Sequence, residues 1–141
     1  MTPIDQTILD TVKGDCVPAC IASVLEIPIE DVPNVCLLYE DSWGQHLNDF
    51  LRRYGIYMIS LPVASCEEMA VPLFGYHLMG GPSIRGVKHC VVGKNGRMIH
   101  DPHPSRAGLL EIEYYDVFVT TNPSSRIYNA ARLIWEEEDA S

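Results

Sequence analysis

From Gly55 onward the chain breaks into short runs rich in β-branched and aromatic residues: "IYMISLP", "YHLMGGP", "HCVVG", "RMIHD" and "EIEYYDVFVTT", separated by Gly, Pro and Asn. Runs of this length and composition read as strands. What precedes them has a helical period instead. "ACIASVLE" is good helix material, and Pro18 is tolerated in a first turn, where its missing N–H is not needed, so a first helix is expected from about Pro18 to Glu26. Asp15 and Cys16 then sit at its N-terminus. A short turn at "IEDVP" follows, after which Trp43, Leu47, Phe50, Leu51 and Tyr54 fall on one face of a second helix. Ser42 and Gln45 suit a capping box, and Gly55 a stop. Helices first and strands later point to an α+β domain, N-terminal helices packed on a mainly antiparallel sheet, and not to a βαβ repeat. "RIYNAARLIW" suits a last helix with Ile127, Ala130, Ala131 and Ile134 on one face, and "WEEEDAS", residues 135–141, a solvated tail.

With 141 residues, the chain is long enough for one cored domain and short for two. Its 10 Lys and Arg against 19 Asp and Glu leave a net charge of −9, which would repel phosphate backbones, so nucleic acid is not an expected ligand. No apolar run reaches membrane-spanning length, and the first residues lack the basic and apolar regions of a signal peptide. Five cysteines, an odd number, fit reduced thiols in a cytoplasm better than a disulfide framework. Neither a dinucleotide nor a P-loop glycine fingerprint is present, since the glycines of "MGGPSIRG" match neither spacing and read as a loop; no cofactor is expected.

The chemistry-bearing residues lie in two stretches. In "KGDCVPACIASVLE", Cys16 would meet the unpaired N–H groups and positive dipole end of the first helix, both of which favour thiolate. Cys20, one turn on, reads as a small buried hydrophobe. In "HCVVGKNGRMIHD", His89 begins one strand and Asp101 ends the next. If the turn is Lys94-Asn95-Gly96 with a bulge at Gly96, Gly93 pairs with Arg97 and Val91 with Ile99. His89 then faces Asp101 at ~5 Å between Cβ atoms, with Cys90 and His100 on the other side. A two-residue Asn95-Gly96 turn shifts the register by one and sends His89 and Asp101 to opposite faces.

Together, "GDCVPACIASVLEIPIEDVP" and "GVKHCVVGKNGRMIHDPHP" resemble the papain-like cysteine hydrolases. The nearest branch is the bacteriocin-processing double-glycine peptidases, with small bacterial and phage proteins that share the Cys helix and the His…Asp-Pro hairpin. The resemblance spans about residues 6–104 and is specific at the two motifs. It implies a papain-like fold with Cys16 as nucleophile, His89 as general base and acid, and Asp101 orienting the imidazole. The family's oxyanion glutamine, about six residues before the nucleophile, falls here on Asp10, which cannot donate when ionised. Gln6, ten before Cys16, is the nominee if the segment between loops out. Trp43, Tyr76, His77 and Gly81 are candidate cleft residues, while His100 and His103 read as surface or supporting groups. The implied activity is cleavage of an amide, isopeptide or related acyl bond in a peptide, protein tail or small-molecule amide, through a thioester. Two alternatives compete: an inactive papain-like module that sequesters a partner or ligand, and a zinc site of Cys16, Cys20, His100 and His103.

Overall fold

A computed structural model describes residues 1–9, 14–39, 41–70 and 72–120. Asp10, the C-terminal helix expected around "RIYNAARLIW" and the acidic tail lie outside these residues. Among them, helices α1 (Cys16–Leu25), α2 (Val35–Leu38), α3 (Trp43–Leu51) and α4 (Val63–Glu68) accompany strands β1 (Ile56–Pro62), β2 (Tyr76–Pro82), β3 (Lys88–Lys94), β4 (Arg97–His100) and β5 (Tyr114–Thr120). The strands form one antiparallel sheet in the order β1-β5-β2-β3-β4. The architecture is α+β, with α1 packed on β3 and α3 on β1. No described helix is long and apolar enough to cross a membrane.

Helix α1 begins two residues earlier than its composition suggests. The Ala19 amide donates to the Asp15 carbonyl, so Pro18 falls among the first-turn positions whose N–H has no helical partner. Glu26 closes the helix in the left-handed conformation, φ 58°, its amide donating to the Ala22 carbonyl. Helix α3 starts at Trp43 as its period requires, but Ser42 makes no side-chain capping bond, so the expected capping box with Gln45 does not form. A 3-10 turn, Arg52–Tyr54, then leads to Gly55 at φ 70°.

The core is the apolar face of α1 and α3 against one face of the sheet: Ile21, Leu25, Leu47, Leu51, Leu78 and Val92 are all sealed from solvent. Each such side chain contributes on the order of 2 kcal/mol by leaving water. The outer edge of β1 is tied to α3 by one amide. Asn48 Nδ2 donates to the Met58 carbonyl at 3.1 Å and its Oδ1 accepts the Met58 N–H at 2.8 Å, reproducing the bonds of a missing neighbour strand.

The β3–β4 hairpin differs from the three-residue loop that would place His89 opposite Asp101. Its turn is the two-residue one, with Asn95 at φ 52° and Gly96 at φ 84°, and Lys94 pairs with Arg97 and Gly93 with Met98. The bulge lies further along, where Val92 pairs with His100 and Ile99 is the extra residue. The expected pairs Gly93–Arg97 and Val91–Ile99 do not form. The one-residue shift from the turn and the one from the bulge add, so His89 and Asp101 return to the same side in a diagonal relation. Helix α4 and the start of β5 only at Tyr114 were not evident from the sequence, and "MGGP" belongs to β2, the loop beginning after Pro82.

Two glycines test this geometry with opposite signs. A Cβ on Gly81 would meet the Glu111 carbonyl oxygen at 2.1 Å, backbone that cannot yield, whereas one on Gly44 in α3 meets nothing within 4 Å. Gly81→Ala is expected to destabilise by roughly 1–3 kcal/mol and Gly44→Ala to stabilise by about 0.4–1 kcal/mol. Both shifts are read from the midpoints of urea unfolding.

Candidate active site

Asp101 is one residue past β4, with no exposed side-chain surface, and each of its oxygens is held. Oδ1 accepts from His89 Nε2 at 2.7 Å and from the His103 amide at 2.9 Å; Oδ2 accepts from the Gly108 amide at 2.7 Å. Burial alone would raise its pKa, but the His89 bond and the two amides outweigh it and hold the carboxyl at about 2. With Nε2 committed to this anion, Nδ1 is the His89 nitrogen that remains for the pocket.

Gln6 reaches the same place through three ties on the N-terminal segment. Its amide donates to the Pro102 carbonyl at 3.0 Å. Arg106 forks onto Asp5, Nη1 to Oδ1 at 2.6 Å and Nη2 to Oδ2 at 2.7 Å, and Nη1 also donates to the Asp101 carbonyl. Asp15, buried before α1, turns its carboxylate away from helix capping to accept the Thr7 and Ile8 amides and the Thr7 hydroxyl. Gln6 is thereby fixed beside the helix start despite its ten-residue separation from Cys16. Its Nε2 donates to the Ile8 carbonyl at 2.9 Å, and its buried Oε1 has no partner among the described residues.

These groups line a pocket of about 180 Å³ that gathers Gln6, Cys16, Trp43, His89 and His103. Trp43 serves two purposes, walling the pocket and packing against the core. Cys16 is the first residue of α1, but its thiol is not the ready thiolate expected of a helix N-terminus. Burial, aided by the nearby Cys90 and Cys36 thiols, pushes it up to about 12, against hydrogen bonds from the Cys90 and Val17 backbone. The magnitudes explain the outcome: a helix dipole offers about 0.3–1 kcal/mol, less than one pKa unit, whereas burial shifts pKa by as much as 3–5 units. At neutral pH the resting thiol carries its proton.

Three of the expected cleft residues lie elsewhere. Gly80, not Gly81, lines the pocket, and its missing Cβ admits the Tyr114 ring; Gly81 pairs with His89 and is packed against the Glu111 backbone. His77 is buried, accepts the Gly96 amide on Nε2 at 2.9 Å and stands edge-on to Tyr115, so it supports the hairpin turn. Tyr76 accepts a hydrogen bond from the Met1 amino group and, with His77, borders a separate apolar pocket beside Pro72 and Phe74. The supporting histidines also divide. His100 is buried with Nε2 on the Ile4 carbonyl at 2.8 Å, while His103 enters the pocket, its ring edge-on to His89 with centroids 6.3 Å apart. The four zinc candidates are not gathered: Cys20 Sγ donates to the Cys90 carbonyl in the core, and no group of three or more metal-binding side chains occurs among the described residues.

Sequence reasoning missed Cys36, Arg85, Tyr114 and Asp116, all pocket residues, and Asp15 behind it. Asp116 carried a signal, since period two on β5 puts it on one face with Tyr114; burial raises its pKa, and the Ser60 hydroxyl donates to it. No protein-family model, no curated protein and no solved structure matches the chain.

The Asp101 geometry predicts an acid-labile component of stability. Its folded pKa, about 2, lies below the ordinary aspartate value of 3.8, so the stabilisation is complete above about pH 4 and is lost as pH falls through about 2. The loss is expected to be about 2 kcal/mol, and Asp101→Asn, less stable at neutral pH, should lack that part of the pH dependence. Urea unfolding of both proteins across this range measures it.

Proposed function

We propose that the protein is a papain-like cysteine hydrolase that cleaves an amide, isopeptide or related acyl bond in a peptide, protein tail or small-molecule amide. One observation carries the reading: a buried His89–Asp101 pair at 2.7 Å shares a small pocket with a cysteine at a helix start and a glutamine held beside it. An α+β fold with the cysteine helix packed on the strand that bears the histidine is consistent with the papain-like resemblance. His89 Nδ1 takes the Cys16 proton as sulfur attacks the carbonyl carbon. The oxyanion is stabilised by backbone N–H groups at the start of α1 and by the Gln6 amide. His89 then protonates the leaving amine and the C–N bond breaks, leaving a thioester. Water, deprotonated by His89, attacks this thioester, releasing the carboxylic acid and returning the proton to sulfur. Asp101 keeps the imidazole oriented and favours its charged form throughout.

A second reading, a module of the same fold that binds without turnover, is favoured by the Cys16 thiol at about 12. The two differ in covalent chemistry. With 4-nitrophenyl acetate, a hydrolase should show a nitrophenolate burst and acetyl on Cys16 by peptide mass spectrometry. His89→Ala should slow acylation by about 10²–10⁴-fold, Gln6→Ala by about 10²–10³-fold, and Cys16→Ala should abolish the burst. Cys20→Ser should keep the burst and lose mainly stability. Acetyl spread equally over Cys16 and Cys36, or a burst unchanged by Cys16→Ala, would leave the binding module as the function.

A further inference from the structure

Between β2 and β3 the chain makes a turn closed on itself: the Ser83 amide and hydroxyl both donate to the Val87 carbonyl, and the Gly86 amide donates to the Ser83 carbonyl. Arg85 is carried on this turn into the pocket wall, next to Lys88 at the start of β3. One of its five N–H donors is used, Nη1 to Ser105 Oγ at 3.3 Å, and that hydroxyl also bonds His103 Nδ1 at 2.8 Å. Arg85 is therefore linked through Ser105 and His103 to the ring that stands edge-on to His89.

Its charge is unmatched. Lys88 is paired with Glu113, Arg52 with Asp49 and Arg106 with Asp5, yet no carboxylate lies within ion-pair distance of Arg85 among the described residues. This occurs in a chain where acids outnumber bases 19 to 10, so a partner was not lacking for want of carboxylates. Among the described residues the single acid lining the pocket, Asp116, is buried and already accepts from Ser60. A planar guanidinium with open donors at the wall of a small pocket suits bidentate contact with a carboxylate.

We infer that this wall is an anion subsite, and that the acyl substrate presents a carboxylate to Arg85 within a few atoms of the carbonyl that Cys16 attacks. The inference rests on the hydrolase reading and names its substrate class. The chain's overall field disfavours anions, so recognition depends on this local cation and weakens with salt. A cationic substrate would instead meet Arg85 and Lys88 at the wall.

Alkylation of Cys16 tests this without knowing the substrate, because iodoacetate and iodoacetamide share one displacement and differ in charge. The ratio of their second-order rate constants at Cys16 should fall about fivefold or more in Arg85→Gln, the ratio cancelling any change in the reactivity of the thiol itself. It should be retained within about twofold in Arg85→Lys, and the difference between the wild type and Arg85→Gln should shrink as salt shortens the Debye length. A ratio indifferent to both Arg85→Gln and salt overturns the subsite. Protection from iodoacetamide by N-acetylglycine, a terminal carboxylate, or by N-acetylaspartate α-amide, a side-chain carboxylate, identifies the source, and should disappear in Arg85→Gln; protection by neither overturns the inference. Cys16 reacting with iodoacetamide no faster than Cys36 sinks the hydrolase reading, and the subsite with it.

Discussion

A carboxylate with no exposed surface must have its charge answered by donors, and the surroundings of Asp101 are organised by that demand. Its three bonds come from three places: the His89 ring on β3, the His103 amide two residues on, and the Gly108 amide seven residues on. The last two require the chain after β4 to curl back, and it does so with Arg106 at φ 53° and Gly108 at φ 71°. Arg106 accepts the strain of a left-handed conformation and returns hydrogen bonds to the Asp101 and His103 carbonyls. The same guanidinium grips Asp5, and so the loop that holds the buried anion also holds the N-terminal segment that carries Gln6.

The hairpin bulge belongs to this arrangement. A two-residue turn alone would put His89 and Asp101 on opposite faces of the sheet; the extra residue Ile99 reverses that parity one pair later. The bulge also lets β4 end at His100, so Asp101 leaves the ladder and presents both oxygens to donors that a paired strand would exclude.

Legibility followed the range of the interactions. Helix and strand identities were readable because period and composition are local, and the facing of His89 and Asp101 was reached by a wrong register whose parity happened to match. Where the bulge would fall was not readable, since Gly96 and Ile99 offer equivalent solutions locally and the choice is made by what Asp101 bonds to. Gln6 was named for its side-chain type, while Asp15, read only as lying at the helix N-terminus, holds its segment by accepting the Thr7 and Ile8 amides, bonds that no local pattern announces. Placing Gly81, His77 and Tyr76 together in the cleft was avoidable. Alternation along β2 separates Tyr76, Leu78 and Gly80 from His77, Met79 and Gly81, and Tyr76 lies at the far end of the strand from Gly80.

In the proposed hydrolase the pocket's electrostatics would put the burden of activation on His89. A thiol pushed up to about 12 is protonated at rest, so charge separation would arise only as its proton moves. Groups already in place stabilise such a separated state without reorganising as the charge develops. Asp101 answers the imidazolium, and the Cys90 and Val17 backbone answer the thiolate. Arg85 stands outside this pair, bonded to Ser105, whose hydroxyl also bonds His103; burial first, and then the Arg85, His89 and Arg106 charges, oppose protonation of His103.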